Sequence, residues 1–216
     1  MLYYSARVAG NARYHCIGAA TSKSVLGPYT AQASPLACDT SKGGAIDPSG
    51  FRDANGNRYV IYKIDGNSNG HGGTCNNMVA PIVPTPIMLQ RVKADGFTKH
   101  GSPVAILNRD SRDGPLIEAP SMMRTSDGKY VLFFSSNCYS TTLYDVSYAM
   151  ADSILGPFDK YGPLFVTGTA GLIAPGGASV AADGKHMVFH ANNGNLRSMF
   201  TTLISVDTKK HIVSTV

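Results

Sequence analysis

The chain reads as an all-β protein built from repeated four-stranded units, the blades of a β-propeller. Three observations carry this reading. A phrase recurs as Ile46-Asp47-Pro48-Ser49-Gly50-Phe51, Ile117-Glu118-Ala119-Pro120-Ser121 and Ala174-Pro175-Gly176-Gly177-Ala178. Each copy leads through a Gly turn into an aromatic, β-branched run: Arg58-Tyr59-Val60-Ile61-Tyr62, Tyr130-Val131-Leu132-Phe133-Phe134 and His186-Met187-Val188-Phe189-His190. A second phrase pairs Ala20 to Tyr29 with Ala149 to Phe158, each ending in Leu-Gly-Pro-aromatic. Gly and Pro set the backbone of a turn between strands there. No stretch holds a long 3.6-residue apolar period, so little helix is expected.

In chain order, Leu2-Tyr3-Tyr4-Ser5-Ala6 matches the close of the later runs, Ile61-Tyr62-Lys63 and Phe133-Phe134-Ser135-Ser136. The chain is therefore expected to begin inside a repeat, with the first strand of that repeat missing. Each full unit holds a phrase strand, a Tyr/Phe strand, an alternating strand such as Asp145-Val146-Ser147-Tyr148-Ala149, and a strand after Gly-Pro. One partial unit, two whole units and a last unit of about 40 residues, short enough to be incomplete, make up a single domain over residues 1–216. Asp65 to Val83 breaks the pattern: a Gly/Asn/Ser loop runs into Pro81, Pro84 and Pro86. Such an insertion is a candidate wall for a binding site.

Composition narrows the function classes. At 43% hydrophobic residues the chain is globular. A net charge of +5 with no Lys/Arg cluster disfavours nucleic acid. No long apolar run suits a membrane span. The four cysteines, Cys16, Cys38, Cys75 and Cys138, lack C-x-x-C spacing, which argues against zinc or thioredoxin-like chemistry. They fit two disulfides and an oxidising compartment, or four structural thiols. Three pairings are open; Cys16–Cys38 with Cys75–Cys138 is taken as a guess. Met1-Leu2-Tyr3-Tyr4 lacks the basic and apolar regions of a signal peptide.

Two copies of the phrase open on an acid in what reads as the same place: Asp47 precedes Tyr62 by the same spacing as Glu118 precedes Phe133. Acids at the starts of innermost strands in adjacent blades would face one central channel. Two carboxylates at one site push their pKa values apart, which suits glycoside hydrolysis. The competing role is an Asp-Pro turn cap at Asp47 and a surface acid at Glu118.

The three phrases, the Gly-Pro-aromatic turns and Phe134-Ser135-Ser136-Asn137-Cys138-Tyr139 together resemble glycoside hydrolase family 43 over nearly the whole chain. The finer likeness, to fungal secreted arabinofuranosidases and β-xylosidases, rests on Tyr62-Lys63-Ile64-Asp65-Gly66-Asn67-Ser68 and Pro84-Thr85-Pro86-Ile87-Met88-Leu89-Gln90. The resemblance implies a five-bladed β-propeller and inverting hydrolysis of arabinose- or xylose-containing plant polysaccharides. It makes Glu118 the general acid and Asp47 the carboxylate that tunes and orients it. Its catalytic base is an Asp in a first blade that this chain lacks, along with part of the second. Five blades at about 60 residues each need about 300. The resemblance also implies a secreted parent, a poly- or oligosaccharide substrate and no organic cofactor, with a central structural ion left open.

Among other residues, His190 is a candidate to face the channel as a substrate contact, with a satisfied channel histidine the competing role. Arg197 is a candidate to pair with a central carboxylate, with a solvated side chain the favoured role. Phe51, Tyr139 and Tyr144 are candidates to stack on sugars, with blade packing the competing role. His71 and Cys75 lie close in sequence, but two ligands do not make a metal site; none is assigned. The rival functional class is a non-catalytic carbohydrate-binding propeller remnant. A third is an invertase-like fructan hydrolase, which would want its own nucleophile in the first blade.

Overall fold

The computed structural model describes residues 1–216. Its strands form four antiparallel sheets, each a meander in chain order. The first holds β1 (Leu2–Val8), β2 (Asn11–Thr21) and β3 (Thr30–Ala31). The second holds β4 (Ala45–Arg52), β5 (Arg58–Ile64), β6 (Ile87–Val92) and β7 (Val104–Leu107). The third holds β8 (Ile117–Arg124), β9 (Tyr130–Ser136), β10 (Val146–Ala151) and β11 (Asp159–Phe165). The fourth holds β12 (Gly176–Val180), β13 (His186–Asn193), β14 (Leu196–Asp207) and β15 (Ile212–Thr215). Strand β8 packs against both β4 and β12, so these three are inner strands and the sheets radiate from them as blades of a β-propeller. Helix is confined to short 3-10 turns.

The last unit, short enough by its length to be incomplete, has all four strands. The first has three. Strand β2 runs into Leu26-Gly27-Pro28 as β10 runs into Leu155-Gly156-Pro157, so β1 stands where β9 stands, in second position.

The second strands explain why the blades stack. A strand covered on both faces needs apolar side chains at odd and even positions alike. In β5, Val60, Tyr62 and Ile64 pack toward Ile17 and Leu36 of the first blade, while Tyr59 and Ile61 pack toward Leu132 and Phe134 of the third. In β9, Val131 and Phe133 turn the other way and meet Met187 and Phe189 of the fourth. Alternate residues of one strand thus serve two interfaces.

Each inner strand carries a β-bulge at the same place. Pairing runs Ile46↔Lys63 then Ser49↔Ile61, Glu118↔Ser135 then Ser121↔Phe133, and Gly176↔His190 then Ser179↔Val188. The first bulged residue is left-handed in all three: Asp47 at φ 56°, Ala119 at 52° and Gly177 at 61°. Asp47 is therefore equivalent to Ala119 and Gly177, whereas Glu118 is equivalent to Ile46 and Gly176. This corrects the sequence alignment in two ways. The two acids stand one residue apart in the repeat, not in the same place. The third copy aligns as Gly176-Gly177-Ala178-Ser179, two residues beyond Ala174-Pro175. The first two copies keep one constant offset, from Ile46 and Glu118 through Lys63 and Ser135, so the slip came from matching Tyr62 with Phe133 where the strand pairing matches it with Phe134.

Both disulfides form as guessed. Cys16–Cys38 ties β2 to the segment after β3. Cys75–Cys138 ties the 65–83 insertion of the second blade to the loop after β9 in the third.

Candidate active site

The inner strands β4 and β8 begin, and β5 and β9 end, at one rim of the propeller, and the bulges concentrate side chains there. A bulged residue leaves the ladder, so its N–H needs a partner elsewhere. The preceding blade supplies it each time. The Asp47 N–H donates to Ser5 Oγ at 3.2 Å, and the Gly177 N–H to Ser135 Oγ at 2.9 Å. By register, the second strand β5 has Lys63 where β9 has Ser135. An ammonium has donors only, so it cannot serve the Ala119 N–H. That N–H turns instead to Asp47 Oδ2 at 3.0 Å.

Lys63, freed from that task, reaches Glu118. Its Nζ donates to Glu118 Oε2 and Asp65 Oδ1, each at 3.1 Å. Lys63 is 1% exposed, and a charge so buried persists only when paired. Asp65 is held further by the Ser68 hydroxyl at 2.6 Å. The other oxygen of Glu118, Oε1, accepts from the Tyr144 hydroxyl at 2.7 Å. Both oxygens of the acid are thus fixed by dedicated donors.

The charges set the titration. Burial, and secondarily the negative charge of Glu118, push the Asp47 carboxyl up to about 6, against the opposing effects of Lys63 and the Ala119 N–H. Burial pushes the Tyr144 phenol well above its usual value, and the charge of Glu118 adds to this. Lys63 is raised: the charges of Glu118, Asp65 and Asp47 together outweigh the largest single effect, desolvation.

The fourth blade completes the wall. A Cβ on Gly176 would lie 1.9 Å from Tyr144 Cε1, and one on Gly177 would lie 2.3 Å from His190 Nε2. Both glycines are therefore the space into which Tyr144 and His190 lean, their rings stacked at 6.1 Å and 17°. Arg197 donates from Nε to His190 Nδ1 at 2.7 Å and grips Asn192 Oδ1 and the Ala174 carbonyl. Nδ1 being an acceptor, the neutral imidazole carries its proton on Nε2. Burial, then Arg197, keep the His190 pKa low.

Of the residues singled out in the sequence, Asp47, Glu118, His190 and Arg197 gather here. Phe51 does not. It lies at the far end of β4, packed edge-on against Tyr130 and against Tyr59, as part of the interface between the second and third blades. Its removal from the substrate-binding set is a correction; an aromatic at strand spacing is blade packing here. Arg197 pairs with His190 and backbone, not with a carboxylate. Cys75 is spent in a disulfide, and His71 Nδ1 meets the Pro81 carbonyl at 2.9 Å. The sequence reading missed Lys63 and Asp65 and undervalued Tyr144. A signal existed for Lys63: it is the one cation inside the otherwise apolar run Tyr59–Ile64.

Comparison with known proteins agrees with this architecture. No curated protein matches the chain. A solved structure described as a thermostable family-43 glycoside hydrolase is 27% identical, with a TM-score of 0.79, covering 99% of this chain and 70% of that one. An endo-1,4-beta-xylanase from Bacteroides thetaiotaomicron is similar in fold at 22% identity and a TM-score of 0.73, with 99% and 70% covered. An endo-arabinase from the same organism is similar at 20% and 0.72, with 95% and 70% covered. Residues 1–205 match the model of the glycosyl hydrolases family 43. The chain belongs to that family of glycoside hydrolases.

Proposed function

We propose that the chain carries the acid half of an inverting glycosidase site for arabinose- or xylose-containing plant polysaccharides, with Glu118 as proton donor and Asp47 as the carboxylate that tunes and orients it. The observation that supports this most is the pairing of the two acids across a blade interface, with the N–H beside Glu118 held by Asp47 and both Glu118 oxygens held by Lys63 and Tyr144. An acid that protonates a leaving oxygen must be held still at the bond it serves. The high pKa of Asp47 is the mark of a site that resists a second negative charge. His190, braced by Arg197, presents Nε2–H as a substrate donor. The arabinan- and xylan-degrading proteins of similar fold support the substrate class.

Inversion also takes a base that activates water across the ring, at about 6.5–9.5 Å from the acid. In this reading the base comes from outside these 216 residues, on a further blade that makes five in all. The solved structures of similar fold, of whose length this chain covers 70%, support it. The test is hydrolysis of nitrophenyl arabinofuranoside and nitrophenyl xyloside by the 216-residue chain beside a version extended upstream. Hydrolysis by the extended chain alone, abolished by Glu118→Gln, is the expected result. Ordinary enzyme rates from the shorter chain would sink the assignment of the base. Binding of oligosaccharides by both versions with hydrolysis by neither would make the protein a binding propeller.

A further inference from the structure

A second polar cleft opens at the same rim as the acids. It has a volume of about 630 Å³ and is lined by the side chains of Arg13, Asn67, Ser68, Asn76, Tyr139 and Ser140 around the Cys75–Cys138 disulfide. Three separate blades contribute. Arg13 comes from the start of β2, the asparagines and Ser68 from the 65–83 insertion, and Tyr139 and Ser140 from the loop after β9. The cleft adjoins the acid through a short chain of contacts: Ser68 holds Asp65, Asp65 holds Lys63, and Lys63 holds Glu118.

Its chemistry is specific. It has no carboxylate, so it does not suit a metal. Its side chains are amides, hydroxyls, one guanidinium and one aromatic. Tyr139 is 57% exposed, although the neighbouring Cys138 is buried and Tyr144, on the same loop, is buried and committed to Glu118. An aromatic face left open beside amide and hydroxyl groups fits a neutral, polyhydroxylated ring, with C–H groups on one face and hydroxyls at its edge. The walls are also fixed in advance. The disulfide locks the insertion to the facing loop, Arg13 Nε donates to the Ser68 carbonyl at 2.7 Å, and the Tyr14 hydroxyl donates to Asn69 Oδ1 at 2.8 Å. A site so held loses little freedom when a ligand enters.

We propose that this cleft is a subsite for a sugar residue of the glycan chain remote from the bond that is cleaved, with Tyr139 as its stacking platform and Arg13 as its edge donor. The proposal rests on the glycan-hydrolase reading and deepens it: the substrate is a chain long enough to reach from Glu118 to Tyr139, not a lone terminal sugar or a disaccharide.

The test is titration calorimetry of the 216-residue chain with arabino- and xylo-oligosaccharides of two to five sugars. Affinity is expected to rise with length. Tyr139→Ala should then lower affinity for the longest ligand about five- to tenfold, with a smaller loss for the disaccharide, and Tyr139→Trp should restore the length dependence. Arg13→Ala should act in the same direction. If oligosaccharides bind but affinity is flat with length and indifferent to Tyr139→Ala and Arg13→Ala, the subsite is wrong and the hydrolase reading stands. If sulfate or glucuronate binds through Arg13 while neutral sugars ignore the cleft, it is an anion site and the proposal fails. If no oligosaccharide binds at all, the glycan reading of the chain falls, and the subsite with it.

Discussion

Asp47 Oδ2 accepts the backbone N–H of Ala119, the residue that follows Glu118, at 3.0 Å. One blade's bulge thereby holds the next blade's catalytic candidate through its backbone, and the two carboxylates share one field of charge.

Asp47→Asn is expected to keep this hydrogen bond through the amide oxygen and to remove the charge. Asp47 titrates at about 6 in the folded chain, against about 3.9 unfolded. Its protonated form is therefore favoured by folding. The stabilisation is complete below about pH 4 and is lost as pH rises through 6. Urea unfolding across pH 4 to 7 should show the wild type losing up to about 3 kcal/mol from this group. Asp47→Asn should flatten that fall. Asp47→Ala should behave worse, because it strands the Ala119 N–H at a cost of about 1–3 kcal/mol.

Lys63→Met leaves Asp65 and Glu118 without their shared cation. Breaking a buried pair from one side costs about 3–5 kcal/mol, and the midpoint of chemical unfolding reports it. Because Lys63 lowers the Asp47 pKa, the Asp47 transition should also move upward from 6, visible by carbon NMR of the carboxyl. A loss of stability with no such movement would mean that Lys63 only fills space.

Tyr144→Phe keeps the ring that stacks on His190 and fills the space over Gly176, and removes one donor to Glu118. Hydrogen bonds to charged groups are worth about 1.5–3 kcal/mol. In the upstream-extended enzyme kcat should fall about tenfold or more, and the melting temperature should drop by several degrees.

Gly177→Ala forces a Cβ to 2.3 Å from His190 Nε2 at a φ of 61°. The imidazole must leave its bond with Arg197. Loss of the His190 ring shift caused by the guanidinium, together with a lower melting temperature, is the expected outcome. A variant with an unmoved His190 would show that the close approach is not real.

Cys75→Ser with Cys138→Ser opens a loop of 63 residues. Loop-closure entropy puts the loss near 4 kcal/mol, with 2–4 typical of measured bridges. Denaturant midpoints under oxidising conditions provide the check.

The blades were legible because they rest on local chemistry: the Leu-Gly-Pro turns and the doubly covered Tyr/Phe strands announce themselves in the sequence. Asp47 and Glu118 were legible as a pair. Their relation was not, because the adjacent Phe133 and Phe134 can each be matched to Tyr62 in the sequence, and only the strand pairing chooses Phe134. Tyr144 and Lys63 were hidden for a different reason. Their shared partner Glu118 lies 26 and 55 residues away, across a loop within the third blade for Tyr144 and across the interface between the second and third blades for Lys63. Phe51 misled because its place on β4, near Asp47 in sequence, says nothing of which rim its ring serves.

The bulge donors have a wider meaning for how such a scaffold changes over time. Each presents a fixed N–H at an interface, and the side chain on the preceding second strand decides whether it or the preceding inner strand supplies the acceptor. With Ser there, the joint is inert. With Lys there, the same backbone joint hands its N–H to a carboxylate and gains an ionic cluster. A charged cluster at the hub thus takes a matched pair of side chains, a cation on the second strand and a carboxylate at the bulge, while the backbone joint around them stays the same.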